Sequence, residues 1–464
     1  MDSPIALGNK GQLGDVGVAR SDNRRAESAR PLIRERLMRD QFALFVLAAA
    51  GMLLATPRVL ALGHYFVVRA MGEPVERPDL SAFPSVPPAY LFGVAIALAT
   101  FFLKPAHRML ALAAMVVPLA VLTGRLDLRS IVPLTLFMLA AYLVIRAPIG
   151  RLKAALLTIA LSLAALLGCV TFVSGSAAVG FTAGWAMLVP MLWYSAYEHG
   201  RSPLRIERFL GYMSARLFGG PVFTYTELFS AASGPALAAT RWAGVRTIYI
   251  ALLASFCVAA AEQLTSVIPP DDHRGPALLA ISYMQYVGAY SEIVIRFNLV
   301  IGILRLFGIP VRNNFAYWLL ARTPNEHWQR WNMLFREWIL TFVFFPVMRS
   351  RRWLFAAVMA ALLTSGLLHT VPPWIMRRLS APQLTAHLLY WVLNGVAIYA
   401  VIKIPQMYPR LVEQLGLRSR FAWSAVGVLL TSAFYAVLHG FRVESGSWAE
   451  LIDYGRRLTT FALY

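Results

Sequence analysis

Residues 313–370 read NNFAYWLLARTPNEHWQRWNMLFREWILTFVFFPVMRSRRWLFAAVMAALLTSGLLHT, and the rest of the chain is organised around them. The segment opens on a polar pair of asparagines and passes through an aromatic and basic cluster at 327–332. It closes on an apolar run that carries one histidine, His369. Asn332 and His369 are the two polar groups that we single out as candidates for chemistry.

The reason is the cost of placing a polar ring in a membrane. Residues 353–368, WLFAAVMAALLTSGLL, carry no charge and are long enough for much of a bilayer crossing. Ionisable groups within such spans usually mark a functional cavity. The alternative is a histidine at the headgroup boundary whose ring bonds a backbone carbonyl. On residue type alone, both interpretations of His369 stay open.

Composition indicates an integral membrane protein. The chain has 464 residues, of which 58% are hydrophobic and 14% charged, whereas average proteins carry roughly 25% charged residues. The net charge of +20 sits mainly between apolar runs, where anionic lipid headgroups attract it, and no nucleic-acid motif accompanies it. We therefore expect membrane lipids, and no nucleic acid, as the surroundings of this chain.

The predicted fold class is all-α, a polytopic membrane protein with one transmembrane domain over 41–464. Within a bilayer a helix satisfies its own backbone hydrogen bonds. We expect roughly ten or eleven crossings plus re-entrant or interfacial helices, since several runs are shorter than the ~20 residues of a perpendicular span. The apolar runs are 41–63, 88–103, 109–124, 131–145, 154–175, 180–197, 247–269, 276–307, 335–346, 353–370, 384–402 and 421–441.

Loop charges predict the orientation. Residues 1–40 are polar and end in a basic run, so we expect a disordered tail on the cytoplasmic side. The basic loops at 104–108, 146–153 and 201–208 then also lie in the cytoplasm, and the weaker or mixed loops lie outside. Segment 205–246 mixes charges, aromatics and a Gly-Gly-Pro breaker, which predicts broken backbone at the interface or along a cavity.

The order of several motifs resembles the membrane-bound O-acyltransferase family, in particular its bacterial branch of alginate O-acetyltransferases and teichoic-acid D-alanyl-transfer proteins. The motifs are LFGGPVFTY at 217–225, YVGAYSEI at 286–293, NNF at 313–315, WQRWN at 328–332 and SGLLH at 365–369. The resemblance covers roughly 205–375. It implies a multi-pass protein of the bacterial inner membrane that moves an acyl group, often acetyl, from a thioester to a hydroxyl.

One departure bears on the acceptor. Asn332 stands where the polysaccharide-modifying branch usually has histidine, and asparagine at that place is common among family members that acylate lipids, sterols or peptides. The resemblance therefore implies either a cell-envelope glycan or a lipid hydroxyl as acceptor, with acyl-CoA or an acyl carrier protein as donor and no bound cofactor. It also suggests a periplasmic partner transferase.

The residue types permit this chemistry. A neutral imidazole is the usual general base near pH 7, so His369 would take the proton of the attacking hydroxyl. The amide of Asn332 would stabilise the developing oxyanion or orient the acceptor. No cysteine lies near these residues and no metal-ligand spacing occurs, which favours direct transfer without a metal. An acyl-imidazole on His369 is the alternative.

Further candidates surround this pair. We expect substrate contacts from aromatic, basic and polar side chains, namely Trp328, Arg330, Trp331, Asn314, Tyr290 and Glu292. Glu292 has a competing interpretation, because Arg296 follows four residues later on the same helix face and a structural ion pair is the commoner arrangement. Interfacial tryptophans are likewise common without any role in binding.

Two other histidines compete with the favoured pair. His439 also ends an apolar run, but its distance from the 328–332 motif fits less well. His327 adjoins the tryptophan cluster and could replace Asn332. A competing function is a transporter whose His369 and Glu292 line a pathway, although no inverted repeat of broken helices supports it.

Overall fold

The computed structural model describes residues 88–99, 128–172, 176–198, 205–214, 220–267, 274–351, 353–375, 379–407 and 420–459. These residues form helices and connecting loops, with no strand among them. The helices are α1 (Pro88–Ala99), α2 (Leu128–Arg146), α3 (Arg151–Phe172), α4 (Ser176–Glu198), α5 (Ile206–Ser214), α6 (Tyr225–Leu228), α7 (Gly234–Val267), α8 (Gly275–Leu306), α9 (Pro324–Arg330), α10 (Met333–Ile339), α11 (Phe345–Arg351), α12 (Leu354–Ile375), α13 (Ala381–Met407), α14 (Arg420–Val443) and α15 (Trp448–Thr459).

The structure confirms the all-α polytopic membrane class. Four of the helices in the described part are long and apolar enough to cross a bilayer, namely Gly275–Leu306, Leu354–Ile375, Ala381–Ile404 and Ser424–Val443. They coincide with four of the apolar runs expected from the sequence. The runs at 41–63 and 109–124, and the tail at 1–40, lie outside the described residues. The count of ten or eleven crossings therefore stays a prediction.

One expectation was wrong in part. Residues 234–246 do not form broken interfacial backbone, because they are the first turns of α7. The charged Arg241 is tolerated in this helix because its Nε donates to the carbonyl oxygen of Leu306, 3.1 Å away at the end of α8, and the side chain is buried. The break lies upstream, where α5 and the single turn of α6 precede α7.

Helices α7 and α8 are the two longest in the described part of the chain, and they pack against each other as a hairpin. Their backbones approach closely at Gly244 and Gly302, since a Cβ on Gly244 would lie 2.9 Å from the carbonyl oxygen of Gly302. Small residues allow this approach where helices associate in a membrane. The hairpin positions the loop that follows α8 and carries the asparagine pair.

A second layer packs α12 against α13, and α13 against α14. Two glycines receive large side chains here. A Cβ on Gly366 would lie 2.7 Å from the Trp391 ring, and one on Gly395 would lie 2.6 Å from the sulfur of Met359. These two contacts fix how α12 and α13 are aligned along each other, because each large side chain fits only opposite its glycine.

The C-terminal amphipathic helix α15 was not expected from the sequence. Its Tyr454 is fully buried and its hydroxyl lies 3.0 Å from the Ser282 hydroxyl on α8. Trp448 and Ile452 are exposed on the other face. The apolar-run criterion misses such a helix because only one stripe of it is hydrophobic.

Candidate active site

The loop after α8 is held by a buried arginine. Arg305 donates to the carbonyl oxygen of Val311 through Nε and Nη2, at 2.9 and 2.7 Å, and its Nη2 also donates to Asn313 Oδ1 at 2.8 Å. Its Nη1 reaches the Thr247 hydroxyl on α7 at 2.6 Å. Charge-assisted bonds of this kind are the stronger ones in proteins. The loop therefore enters the site in one conformation.

Asn314 is the next residue and it clamps the start of α10. Its Oδ1 accepts from the backbone N–H of Leu334 at 3.1 Å, and its carbonyl oxygen accepts from the N–H of Met333 at 2.9 Å. Because Oδ1 faces a donor, its Nδ2 must be the group that donates to Asn332 Oδ1, at 3.1 Å. Asn314 is fully buried, so these bonds are shielded from water.

This clamp determines what Asn332 can offer. Asn332 has a left-handed backbone, φ 45°, which asparagine tolerates better than most residues. Its Oδ1 is occupied by Asn314, so its Nδ2 amide is the group available to a ligand. Asn332 thus faces the site as a hydrogen-bond donor, which is the polarity that a developing oxyanion requires.

His369 occupies one face of α12. Its Nδ1 lies 2.7 Å from the carbonyl oxygen of Ser365, which can only accept, so Nδ1 carries the proton in the neutral ring. The Nε2 lone pair is consequently free to accept a proton. The side chain stays accessible, whereas Leu368 and Thr370 on either side of it are buried.

Both candidates line one cavity. Its volume is about 40 Å³, which is room for a few water molecules, since one water needs ~10–15 Å³ by a similar measure. The lining residues come from α8, α9, α10, α12, α13, α14 and the turn between α9 and α10. They are Tyr290, His327, Trp328, Trp331, Asn332, Phe335, Ser365, His369, Tyr390, Trp391 and Tyr435.

Some of the other residues named from the sequence line the cavity, and the rest do not. Tyr290, Trp328 and Trp331 line the cavity with the candidate pair. Asn314 is not a lining residue, but its Nδ2 donates to Asn332 Oδ1. Their roles in substrate binding stay predictions.

Arg330 and Glu292 are not among the lining residues. Arg330 is turned back on the α9 loop, where Nη2 pairs with Glu326 and Nη1 donates to the Leu320 carbonyl oxygen at 3.1 Å. Glu292 pairs with Arg296 at 3.1 Å, as the alternative interpretation expected, although both side chains are about half exposed.

The competing histidines also occupy different positions. His327 is buried and lines the cavity. The centroid of its ring lies 4.1 Å from that of Tyr435, and its ring is nearly parallel to that of Trp331, with an interplanar angle of 12°. Burial lowers the pKa of His327 to about 3, so this ring stays neutral. His439 is also buried, and its Nδ1 accepts from Arg442 Nη2 at 3.2 Å. It is not among the lining residues.

Sequence reasoning missed the contribution of α13 and α14. Tyr390 and Trp391 lie in the apolar run 384–402, and Tyr435 lies in the last run. The hydroxyls of Tyr290 and Tyr390 lie 2.5 Å apart, which joins α8 to α13 across the cavity. The only signal in the sequence was the aromatic pair Tyr390-Trp391, and aromatic residues are ordinary in membrane helices.

Comparison with known proteins supports acyl transfer and nothing finer. No family model matches the chain. A segment of 126 residues is 25% identical to diacylglycerol O-acyltransferase 1-1 of Oryza sativa subsp. japonica. The aligned segment makes up 27% of this chain and 20% of the rice protein. The chain thus aligns with about a fifth of this relative. The similarity agrees with the O-acyltransferase resemblance of the motifs, and it gives no support for the bacterial glycan-modifying branch in particular.

Proposed function

We propose that the protein is a membrane-bound O-acyltransferase that moves an acyl group from a thioester to a hydroxyl. The observation that carries this proposal is that two suitable groups line one cavity. His369 offers an unprotonated Nε2, and Asn332 offers an amide donor. A base and an oxyanion donor are what attack on a thioester carbonyl needs.

The reaction follows from the two groups. Nε2 of His369 takes the proton of the acceptor hydroxyl as its oxygen forms a bond to the thioester carbonyl carbon. The carbonyl oxygen gains negative charge, which the Nδ2–H of Asn332 stabilises. The carbon–sulfur bond then breaks, and the leaving thiolate takes the proton from His369. The products are an ester and a free thiol, and His369 returns to its neutral form.

The lining of the cavity favours direct transfer of the acyl group to the acceptor. Its walls are largely aromatic, so little water competes with the acceptor hydroxyl for the thioester. The Nδ1 bond to Ser365 keeps the imidazole in the tautomer that accepts at Nε2 throughout the cycle. Direct transfer therefore needs no residue beyond those on the cavity wall.

A lipid or lipid-linked hydroxyl is the acceptor that we favour. The similarity to a protein named as a diacylglycerol acyltransferase supports it, as does asparagine at position 332. Helices α8, α12, α13 and α14, which supply much of the cavity wall, are long and apolar enough to lie in a bilayer. A cell-envelope glycan, reached with the help of a periplasmic partner, is the second candidate, and the motif resemblance favours it.

We place the enzyme in a bacterial inner membrane with its N-terminus in the cytoplasm. The loop charges support this orientation, which would let acyl-CoA or an acyl carrier protein deliver the donor from the cytoplasmic side. A substituted-cysteine labelling series on the loops at 146–153 and 201–208 would test it. Labelling of both loops from the outside of intact cells would contradict it.

The direct test combines donors and acceptors. Purified protein in detergent or nanodiscs is incubated with acyl-CoA of two to sixteen carbons, with and without diacylglycerol or a glycan oligomer, and thiol release and ester formation are measured. Ester that forms with the lipid supports the favoured acceptor, and ester that forms only with the glycan supports the second. Each carbon number is repeated with the acyl group on a carrier protein.

His369→Ala is the control for this experiment. Losing a general base typically costs ~10²–10⁴ in rate, so the variant should lose nearly all ester formation while it keeps its thermal unfolding temperature. A transporter would release no thiol in either form. Absence of thiol release by the native protein with every donor and acceptor would overturn the proposed function.

A further inference from the structure

Trp391 closes one side of the candidate active site. Its ring lies on the backbone of Gly366, where even a single methyl group would come within 2.7–2.8 Å of ring atoms Cδ1 and Cγ. Glycine at this position of α12 is therefore what gives the ring its place. One turn further along α13, Met359 of α12 packs on Gly395 in the same manner. The two contacts fix the position of α13 along α12, and with it the position of the Trp391 ring.

The Trp391 ring also adjoins the reacting groups. Its centroid lies 5.3 Å from that of the His369 ring and 5.8 Å from that of Trp328. Phe335 meets His369 edge-on at 5.6 Å. Trp391, Trp328 and Phe335 form an apolar wall beside His369. The remaining lining residues include three tyrosines, Tyr290, Tyr390 and Tyr435.

Size then limits what can lie against this wall. The cavity of about 40 Å³ is well below the ~150 Å³ of an engineered protein cavity that binds benzene. The three heavy atoms of an acetyl group match a space of this size, and a longer alkyl chain that extends toward this wall would meet the Trp391 ring. Trp391 cannot retreat toward α12, because the Gly366 backbone is already in contact with it.

We propose that Trp391, seated on Gly366, sets the upper size limit of the acyl group, so that the enzyme takes short acyl thioesters of about two to four carbons. This inference rests on the proposed function, and it adds the acyl class. The apolar tail of the acyl group contacts the tryptophan wall while its carbonyl lies between His369 and Asn332.

The test compares acyl-CoA chain-length profiles of three proteins: the native chain, Trp391→Ala, and Trp353→Ala as a matched control. Trp353 is an exposed tryptophan that precedes α12. The native protein should prefer acetyl- to butyryl-CoA. Trp391→Ala should raise kcat/KM for hexanoyl- and octanoyl-CoA relative to acetyl-CoA by about tenfold or more, since one methylene in an apolar pocket discriminates ~10–200-fold. Trp353→Ala should keep the native profile.

A second pair of variants keeps the test decisive if Trp391→Ala unfolds. Trp391→Phe, a smaller ring, should extend the profile by about one or two carbons. Gly366→Ala should push the ring into the cavity and lower turnover of butyryl-CoA more than of acetyl-CoA. Thermal unfolding in the same detergent reports whether each variant is folded.

The outcomes separate this inference from the function on which it rests. If the native protein releases no thiol from any donor, the proposed function fails and this inference fails with it. If the native protein already prefers long acyl groups, or if folded Trp391 variants keep its profile, the size limit is wrong and acyl transfer stands.

Discussion

The two sides of the cavity are built in different ways. The asparagine side, which comprises Asn314 and Asn332, is held by buried hydrogen bonds. Arg305 fixes the neighbouring Asn313, and Asn314 bonds both Asn332 and the backbone of α10. The histidine side, which comprises His369 and Trp391, is held by helix packing on Gly366 and a single bond to Ser365. The polar side orients one amide, and the packed side shapes a space beside a base.

This difference predicts different consequences of mutation. Loss of one member of a buried hydrogen-bond chain leaves its partners unpaired, so stability and activity should fall together. Change on the packed side alters the volume of the cavity and should affect which substrate is accepted. The predictions that follow test this contrast, beginning with the largest expected effect.

Asn332→Ala should lower kcat by ~10²–10³, because it removes the donor to the oxyanion. The KM for the acyl donor should change little, since the interaction forms in the transition state. Steady-state kinetics on acyl-CoA measure both constants. Glu292→Gln is the matched control, and it should stay within about twofold of the native rate because Glu292 is not among the cavity-lining residues. A rise in KM at constant kcat would show that Asn332 binds substrate and does not act on the transition state.

Asn314→Ala should lower activity by ~10-fold and the free energy of unfolding by ~1–3 kcal/mol, because the Leu334 N–H and Asn332 Oδ1 lose their partner. If Asn314 acts through Asn332, it should have no further effect on kcat in the Asn332→Ala background. Kinetics and chemical unfolding of the four proteins of this double-mutant cycle give the coupling. Additive losses in kcat would mean that Asn314 touches the substrate itself.

His327 should make stability depend on pH. Its pKa is about 3 in the folded protein and ~6.5 unfolded, so the unfolded state binds more protons between these values. Stability should therefore fall as the pH falls from 7, by ~2 kcal/mol at pH 5 from this residue. His327→Phe should remove that share of the pH dependence, whatever its effect at pH 7. Equal slopes of unfolding temperature against pH in both proteins would contradict the neutral burial of His327.

The helical membrane class could be inferred from composition because apolar runs of this length have few other solutions. The candidate pair could also be found, because a histidine at the end of an uncharged run and an asparagine in a tryptophan cluster are costly in a membrane. The mixed charges and aromatics of 205–246 misled over 234–246, where α7 accommodates the charged Arg241. Its guanidinium satisfies the carbonyl oxygen of Leu306 on a different helix, and no local pattern reports such a partner.

Local sequence thus indicated the kind of protein and picked out two polar groups that the structure places on one cavity. Tertiary packing decided the rest: that Asn332 presents a donor, that Trp391 stands beside His369, and that Arg330 turns away. The reason is that each of these depends on a partner distant in the chain. Asn314 orients Asn332, and Gly366 leaves room for Trp391. Contacts of this kind form only when helices pack, and they leave no periodic trace along the chain.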